Sequence, residues 1–190
     1  MRRVKAFRRG ACLGLGLVVA ALLSAGADEP KQTIDARGLT FEAPKSWKSS
    51  PPTSQMRRAE LKADPIKGDD YPAELIVFAF PGGAGTVDAN LERWRKLFQD
   101  EAGNAPRIET KTVQGKNIEV VRAETHGEYH PAQFPGRPAE PVRKNARLLG
   151  AIVTGGDVSY YVRMVGPDRT MKKLTPDFDV MLKSIKVGSE

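Results

Sequence analysis

The sequence predicts an α+β chain, an α/β/α sandwich with a central, mostly antiparallel sheet and helices on both faces. Three observations carry this expectation. Leu75–Phe80 is apolar at every position, so neither face of that strand can lie against water. Leu148–Val153 and Val158–Val165 are apolar on both faces apart from Gly150, Ser159 and Arg163, and they flank Thr154-Gly155-Gly156-Asp157, whose paired glycines permit the positive φ angles of a tight hairpin. Two amphipathic segments, opening at Thr86 and Thr175, each carry one apolar stripe that needs a sheet to cover it.

The chain begins with a processing signal. Arg2, Arg3, Lys5, Arg8 and Arg9 form a basic start, Ala11–Leu23 is an apolar segment short for a bilayer span, and Ala25-Gly26-Ala27 supplies small residues for cleavage. Residues 1–27 are therefore expected to be removed, leaving Asp28 as the mature N-terminus and no stable membrane span; the competing reading is an uncleaved anchor. Neither arginine pair is followed by the bulky apolar pair of a twin-arginine signal, so the general secretory route is expected, with a periplasmic or extracellular destination. Cys12 precedes the apolar segment, which excludes it as a lipobox cysteine.

Removal of the leader changes what composition means. The formal charge of +7 includes five leader cations, so the mature chain carries 25 basic against 23 acidic residues. A net of +2 removes the case for nucleic-acid binding. The single cysteine leaves with the leader, and with it any disulfide, thiolate nucleophile or thiolate metal site. The remaining 163 residues suit one domain.

Residues 28–37 are polar and read as a flexible lead-in, with a single domain over 38–187. Leu39 and Phe41 alternate with polar residues in a short strand that stops at Pro44, and Trp47 follows as a lid over a core edge. Ser49–Ser54 is loop, and Ala59, Leu61 and Ala63 alternate with Arg58, Glu60 and Lys62 as a strand with one wet face. Asp64–Tyr71 holds Gly68, Asp69 and Asp70 but lacks the alternating oxygens and terminal Glu of a calcium loop, so it reads as an acidic turn.

Gly82, Gly83 and Gly85 connect strand to helix without a Gly-Lys-Ser, a Gly-Lys-Thr or a dinucleotide fingerprint, so no phosphate loop is expected. Thr86 caps the helix, Asp88 favours its positive end, and Val87, Leu91, Trp94, Leu97 and Phe98 form the apolar stripe. Asn90, Glu92, Arg93, Arg95, Lys96 and Gln99 fall on the polar face, with Glu92 and Lys96 placed for an i,i+4 pair. Arg107–Val113 and Asn117–Thr125 read as strands joined at Gly115. At the end, Thr175 is the expected cap and Pro176 the first residue of a helix whose Phe178, Met181, Leu182 and Ile185 face the sheet.

Gly127–Asn145, with prolines at 131, 135, 138 and 141, is the least regular stretch and reads as one long loop. Tyr129, His130, Phe134, Arg137, Arg143 and Lys144 give it aromatic and cationic character, and these six are the candidate partner-binding residues. The plainer alternative is a solvated excursion.

The strand ending in Phe41 with Pro44 and Trp47, the apolar strand, the helix with Asn90-Leu91 and Trp94, the Leu148–Val165 hairpin and the terminal helix with Phe178 and Ser184 together resemble the PsbP-like superfamily of α/β/α sandwiches, in an exported bacterial form. The resemblance covers about residues 35–187 and consists of packing features. It implies the fold. Members include an extrinsic photosystem II subunit, bacterial relatives and a Ran-binding transport factor, none of them an established enzyme, and no photosystem-docking or Ran-binding motif is present.

No Gly-x-Ser-x-Gly elbow and no mature cysteine are found, and the only histidines, His126 and His130, are separated by Gly127 and followed by Pro131, with no third metal ligand. No catalytic residue, cofactor or metal is expected. The expected function is an exported, non-catalytic binding or assembly module acting on an envelope protein or ligand. Two alternatives stand beside it: a cell-wall or carbohydrate binder stacking sugars on Trp47, Tyr71, Tyr129 and Phe134, and an uncharacterised hydrolase.

Overall fold

A computed structural model describes residues 29–133, 136, 138–154 and 156–188. The expected leader, Phe134, Arg137 and Gly155 lie outside them. In chain order the elements are β1 (Lys31–Asp35), β2 (Leu39–Pro44), β3 (Lys48–Ser50), β4 (Arg57–Ala63), β5 (Ala73–Pro81) and α1 (Val87–Arg95). They continue with β6 (Phe98–Gln99), β7 (Glu109–Gln114), β8 (Glu119–Tyr129), β9 (Arg143–Val153), β10 (Val158–Pro167), α2 (Asp168–Ser184) and β11 (Lys186–Val187).

The chain is mixed α/β with a large antiparallel sheet of eight strands and two helices. The sheet runs β3-β4-β5-β10-β9-β8-β6, with β7 also paired to β8, and a smaller sheet runs β1-β2-β11. The three strands that are apolar on both faces, β5, β10 and β9, take the centre, where Val77, Val162 and Ala151 lie in one register row. Alternate residues of these strands feed two apolar clusters. Leu75, Val77, Leu149, Ala151, Val162 and Met164 pack with Phe41, Trp47 and the Met171, Phe178, Met181 and Leu182 stripe of α2. Leu148, Ile152, Tyr161 and Val165 pack instead with Trp94 of α1, Phe98 and Tyr129. Strand side chains alternate between faces, so the two clusters belong to the two faces of the sheet.

Gly150 shows how α1 reaches its face. A Cβ there would collide with the Trp94 ring, so the bare backbone is what lets the indole lie directly on the sheet. Thr86 caps α1 as expected, its hydroxyl accepting from Ala89 N at 3.1 Å. The helix is shorter than its pattern. It ends at Arg95, and Phe98 belongs to β6, opposite Tyr129. Asn90 is also buried rather than solvated, because its amide donates to the carbonyls of Ala84 and Thr86 at 3.1 and 2.8 Å.

Other local expectations are corrected by partners distant in sequence. The lead-in is not loose: β1 pairs along β2, Ile34 faces Phe41 in register, and the Gln32 amide donates to the carbonyls of Pro44 and Trp47. The strand over Arg57–Ala63 is less wet than its alternation suggests, since Glu60 is buried. Gly127–Asn145 is not all loop, because β8 runs through Tyr129 and β9 starts at Arg143, with a register shift between Gly127 and Tyr129 that absorbs the irregularity.

The last helix opens at Asp168, eight residues before the expected first residue Pro176, which lies inside it. Asp69, in the acidic turn, makes this possible. Its Oδ2 accepts from Thr170 N at 3.0 Å and from Thr170 Oγ1 at 2.6 Å, occupying a first-turn donor from across the fold. Thr175 is therefore mid-helix, its hydroxyl donating to Met171 O at 2.9 Å, and Pro176 sits on the solvent side.

α2 is also held by ion pairs. Arg122 Nε lies 2.6 Å from Asp179 and its Nη2 lies 2.8 Å from Glu124. Glu124 meets Arg147, Arg147 meets Asp168 at 2.8 Å, and Asp168 meets Lys172 at 2.8 Å. Burial opposes ionisation of Asp168 and Asp179, but the hydrogen bonds from Lys172 and Arg147 to the first, and from Lys111 and Arg122 to the second, outweigh it and hold both carboxyls below their ordinary range.

Candidate functional site

The α1 face holds a groove away from that helix. Arg57 of β4, Glu74, Ile76 and Phe78 of β5, and Arg163 and Val165 of β10 form it, together with Pro131, Ala132, Pro138 and Glu140 from the connection between β8 and β9. Its volume is about 280 Å³. Register puts these side chains side by side, with Arg57 opposite Phe78, Ile76 opposite Arg163 and Glu74 opposite Val165. The connection is tied across its neck, where the Gln133 amide donates to Pro131 O at 3.0 Å and Glu140 O at 3.2 Å. His130 N anchors its start on Leu97 O at 2.8 Å.

Three guanidiniums line this groove, and their partners differ. Arg57 is 3.2 Å from Glu60, whose Oε1 also accepts from Thr53 N and Oγ1 at 2.6 and 2.7 Å. Burial alone would raise the Glu60 carboxyl, but these hydrogen bonds and the Arg57 charge bring it below its ordinary range, so it stays ionised and matches Arg57. Arg143 stacks on the Tyr71 ring at 5.0 Å and reaches Glu74 and Glu140, each at 4.0 Å. Arg163 is different. It lies 5.7 Å from the centre of the Phe78 ring, with Arg57 5.9 Å from the same ring, and it meets no carboxylate among the described residues. The floor is thus apolar, with one half-buried cation whose charge is not matched by a neighbour.

Two further clefts, of about 1050 and 430 Å³, share His126, Gly127, Lys144 and Asn145. Acids and bases share their walls, Asp100, Glu101, Glu109 and Glu128 with Arg107, Lys144 and Arg147 in the larger, and Asp69, Asp70 and Asp168 with Lys144 and Arg169 in the smaller. Among the described residues no three His, Cys, Asp or Glu side chains are grouped to hold a metal ion, and no helix is long and apolar enough to cross a membrane. These clefts are mixed-charge, water-facing surfaces. The groove on β5 and β10 combines what ligand sites need, an apolar body and a directional polar group.

No family model matches the sequence, and no curated protein matches it either. Among solved structures, the solution structure of cyanobacterial PsbP (CyanoP) from Synechocystis sp. PCC 6803 aligns with 94% of this chain and 98% of its own, at 15% identity and a TM-score of 0.50. The fold is PsbP-like. A crystal structure from Bacteroides thetaiotaomicron aligns with 85% of this chain and 49% of its own, at 10% identity and a TM-score of 0.48. LpqN, involved in cell envelope biogenesis of Mycobacterium tuberculosis, aligns over 84% and 91% at 11% identity and a TM-score of 0.47.

Within this PsbP-like fold the six candidate residues separate. Tyr129 is largely buried, its ring 5.1 Å from that of Phe98, and it also lines the groove, so it belongs to the core and to the groove wall. Arg143 enters the groove wall. His130 is half-buried beside Glu128, with Nε2 3.1 Å from Oε1 but not aligned for a hydrogen bond. Lys144 is exposed on the two mixed-charge clefts, not on the groove. Phe134 and Arg137 lie outside the described residues. Trp47 is 1% exposed, as a lid over the core, so with Tyr129 also buried these rings do not assemble a sugar-stacking surface.

Sequence reasoning missed Arg57, Phe78 and Arg163. A signal for Arg163 was present: it is the one charged residue in a strand otherwise apolar on both faces, and a charge at a place where burial is the rule marks either a pair or a site. Arg57 and Phe78 gave no comparable signal, because only strand register brings them to Arg163.

Proposed function

We propose that the protein is an exported, non-catalytic binding or assembly module: one α/β/α sandwich domain, running from β1 to β11, that meets an envelope protein or ligand through the 130–142 connection and the groove beneath it. The observation that supports this most is the groove itself, where a connection tied by Gln133 roofs an apolar floor bearing an unmatched Arg163. The two apolar clusters, fed by alternate residues of the same strands, support the sandwich with helices on opposite faces. The basic, apolar and small-residue sequence of 1–27 supports export by the general secretory route to the periplasm or beyond. Among the described residues, the hydroxyls lining the groove, Ser54 and Tyr129, show no hydrogen bond to a base, which favours binding over catalysis.

The connection suits recognition for a physical reason. Prolines at 131, 135, 138 and 141 restrict the free chain, so less entropy is lost when it docks, and Phe134 and Arg137 supply an apolar and a cationic contact. Replacing 131–141 by a short glycine-rich turn is expected to leave a cooperative melt, because among the described residues the buried core clusters take Tyr129 and Ala146 from its flanks and none of 131–133, 136 or 138–141. Capture of the partner from the organism's own envelope should then be lost. Unchanged capture by the shortened protein would make the connection a solvated excursion.

A further inference from the structure

The groove under 130–142 carries a more specific reading, which rests on its being the binding surface of the module. We infer that it is a site for a small monocarboxylate with an apolar body, the carboxylate held by Arg163 and the body laid on Phe78, Ile76 and Val165. Charge decides the head group. Arg57 is matched by Glu60, and Arg143 by Glu74 and Glu140, whereas Arg163 faces no carboxylate among the described residues. Arg163 is therefore the guanidinium of the groove at which an incoming anion meets no competing carboxylate among the described residues.

The placement of Arg163 favours a carboxylate over a more diffuse anion. Arg163 is half-buried, its guanidinium carbon lies 5.7 Å from the centre of the Phe78 ring, and its N–H donors meet no carboxylate among the described residues. A planar fork of donors matches the two oxygens of a carboxylate, and the partial loss of water that comes with half-burial strengthens the contact. Apolar contact decides the rest. Phe78, Ile76 and Val165 are held on adjacent strands, and Pro131 and Pro138 also line the groove, whose volume is about 280 Å³. That space takes a chain of roughly ten heavy atoms and is too small for a folded segment or a lipid with two tails.

Octanoate is a suitable probe, titrated into the protein with its leader removed (residues 28–190) and followed by backbone amide NMR. The expected result is saturable shifts concentrated at Ile76, Phe78 and Val165, with octanol at least tenfold weaker because it lacks the charge. Arg163→Gln should weaken octanoate at least tenfold, and Arg163→Lys, which keeps the charge but loses the fork, should weaken it less. The comparison of octanoate with octanol needs no variant, so a poorly folded Arg163→Gln does not remove the test. Equal binding of octanoate and octanol, shifts centred on the cleft at Lys144, or wild-type affinity in a folded Arg163→Gln would each overturn the assignment. If octanoate fails while capture from the envelope still depends on 131–141, this assignment alone falls; if octanoate binds as described but capture is indifferent to the loop, the module reading falls instead.

Discussion

The two faces of the eight-stranded sheet are finished in different ways. The α2 face is closed by a helix, a three-stranded sheet and a chain of matched charges running from Lys111 through Asp179, Arg122, Glu124, Arg147 and Asp168 to Lys172. On the α1 face a nine-residue helix reaches the sheet through Trp94 on Gly150, and the strands beyond it line a groove with Pro131, Ala132, Pro138 and Glu140 of the β8–β9 connection. One face has its charges matched and its apolar stripe covered, while the other retains an unmatched cation and a groove. Specific contacts fit the second, since a surface already occupied by packing has no free groups to offer a partner.

This contrast can be broken by mutation. The largest expected effect is from removing the single large contact of α1: Trp94→Ala should cost about 3–5 kcal/mol in a denaturant melt, the range for truncating a buried aromatic. A loss below about 1 kcal/mol would mean that the helix does not depend on its seat at Gly150. A smaller effect is expected from the charge chain. Arg122→Ala leaves Asp179 and Glu124 without their shared partner and should cost about 1.5–3 kcal/mol, the scale of hydrogen bonds to charged groups. An unchanged melt would show that the chain of pairs decorates the α2 face without holding it.

Acid sharpens the same comparison with the smallest effect. Asp168 and Asp179 have folded-state affinities for protons held below the ordinary value of 3.8, so their contribution is fully present above that value and is lost as pH falls through their depressed folded values. Asp177, pushed up by burial and by Glu29, works in the opposite direction on the same helix. Stability should therefore decline as pH falls below about 4, and the decline should be shallower in Arg122→Ala, where Asp179 has lost a partner. Parallel pH profiles for the two proteins would remove Arg122 from the cause.

The sequence by itself determined the central strands, the β9–β10 hairpin, the cap at Thr86 and the buried stripe of α2. Each is a local pattern, because an apolar run or a helical stripe states its own need for burial whatever covers it. Tertiary structure decided what covered them and where the elements stopped. Phe98 left the helix because Tyr129 offered it a strand partner, α2 began at Asp168 because Asp69 supplied a cap from a distant turn, and Lys31–Asp35 became a strand because β2 had a free edge. The groove belongs to the same class. Arg163 was visible as a charge out of place, but its lack of a carboxylate among the described residues is a property of three strands in register, and register is fixed by packing across the whole sheet rather than by any segment of the chain.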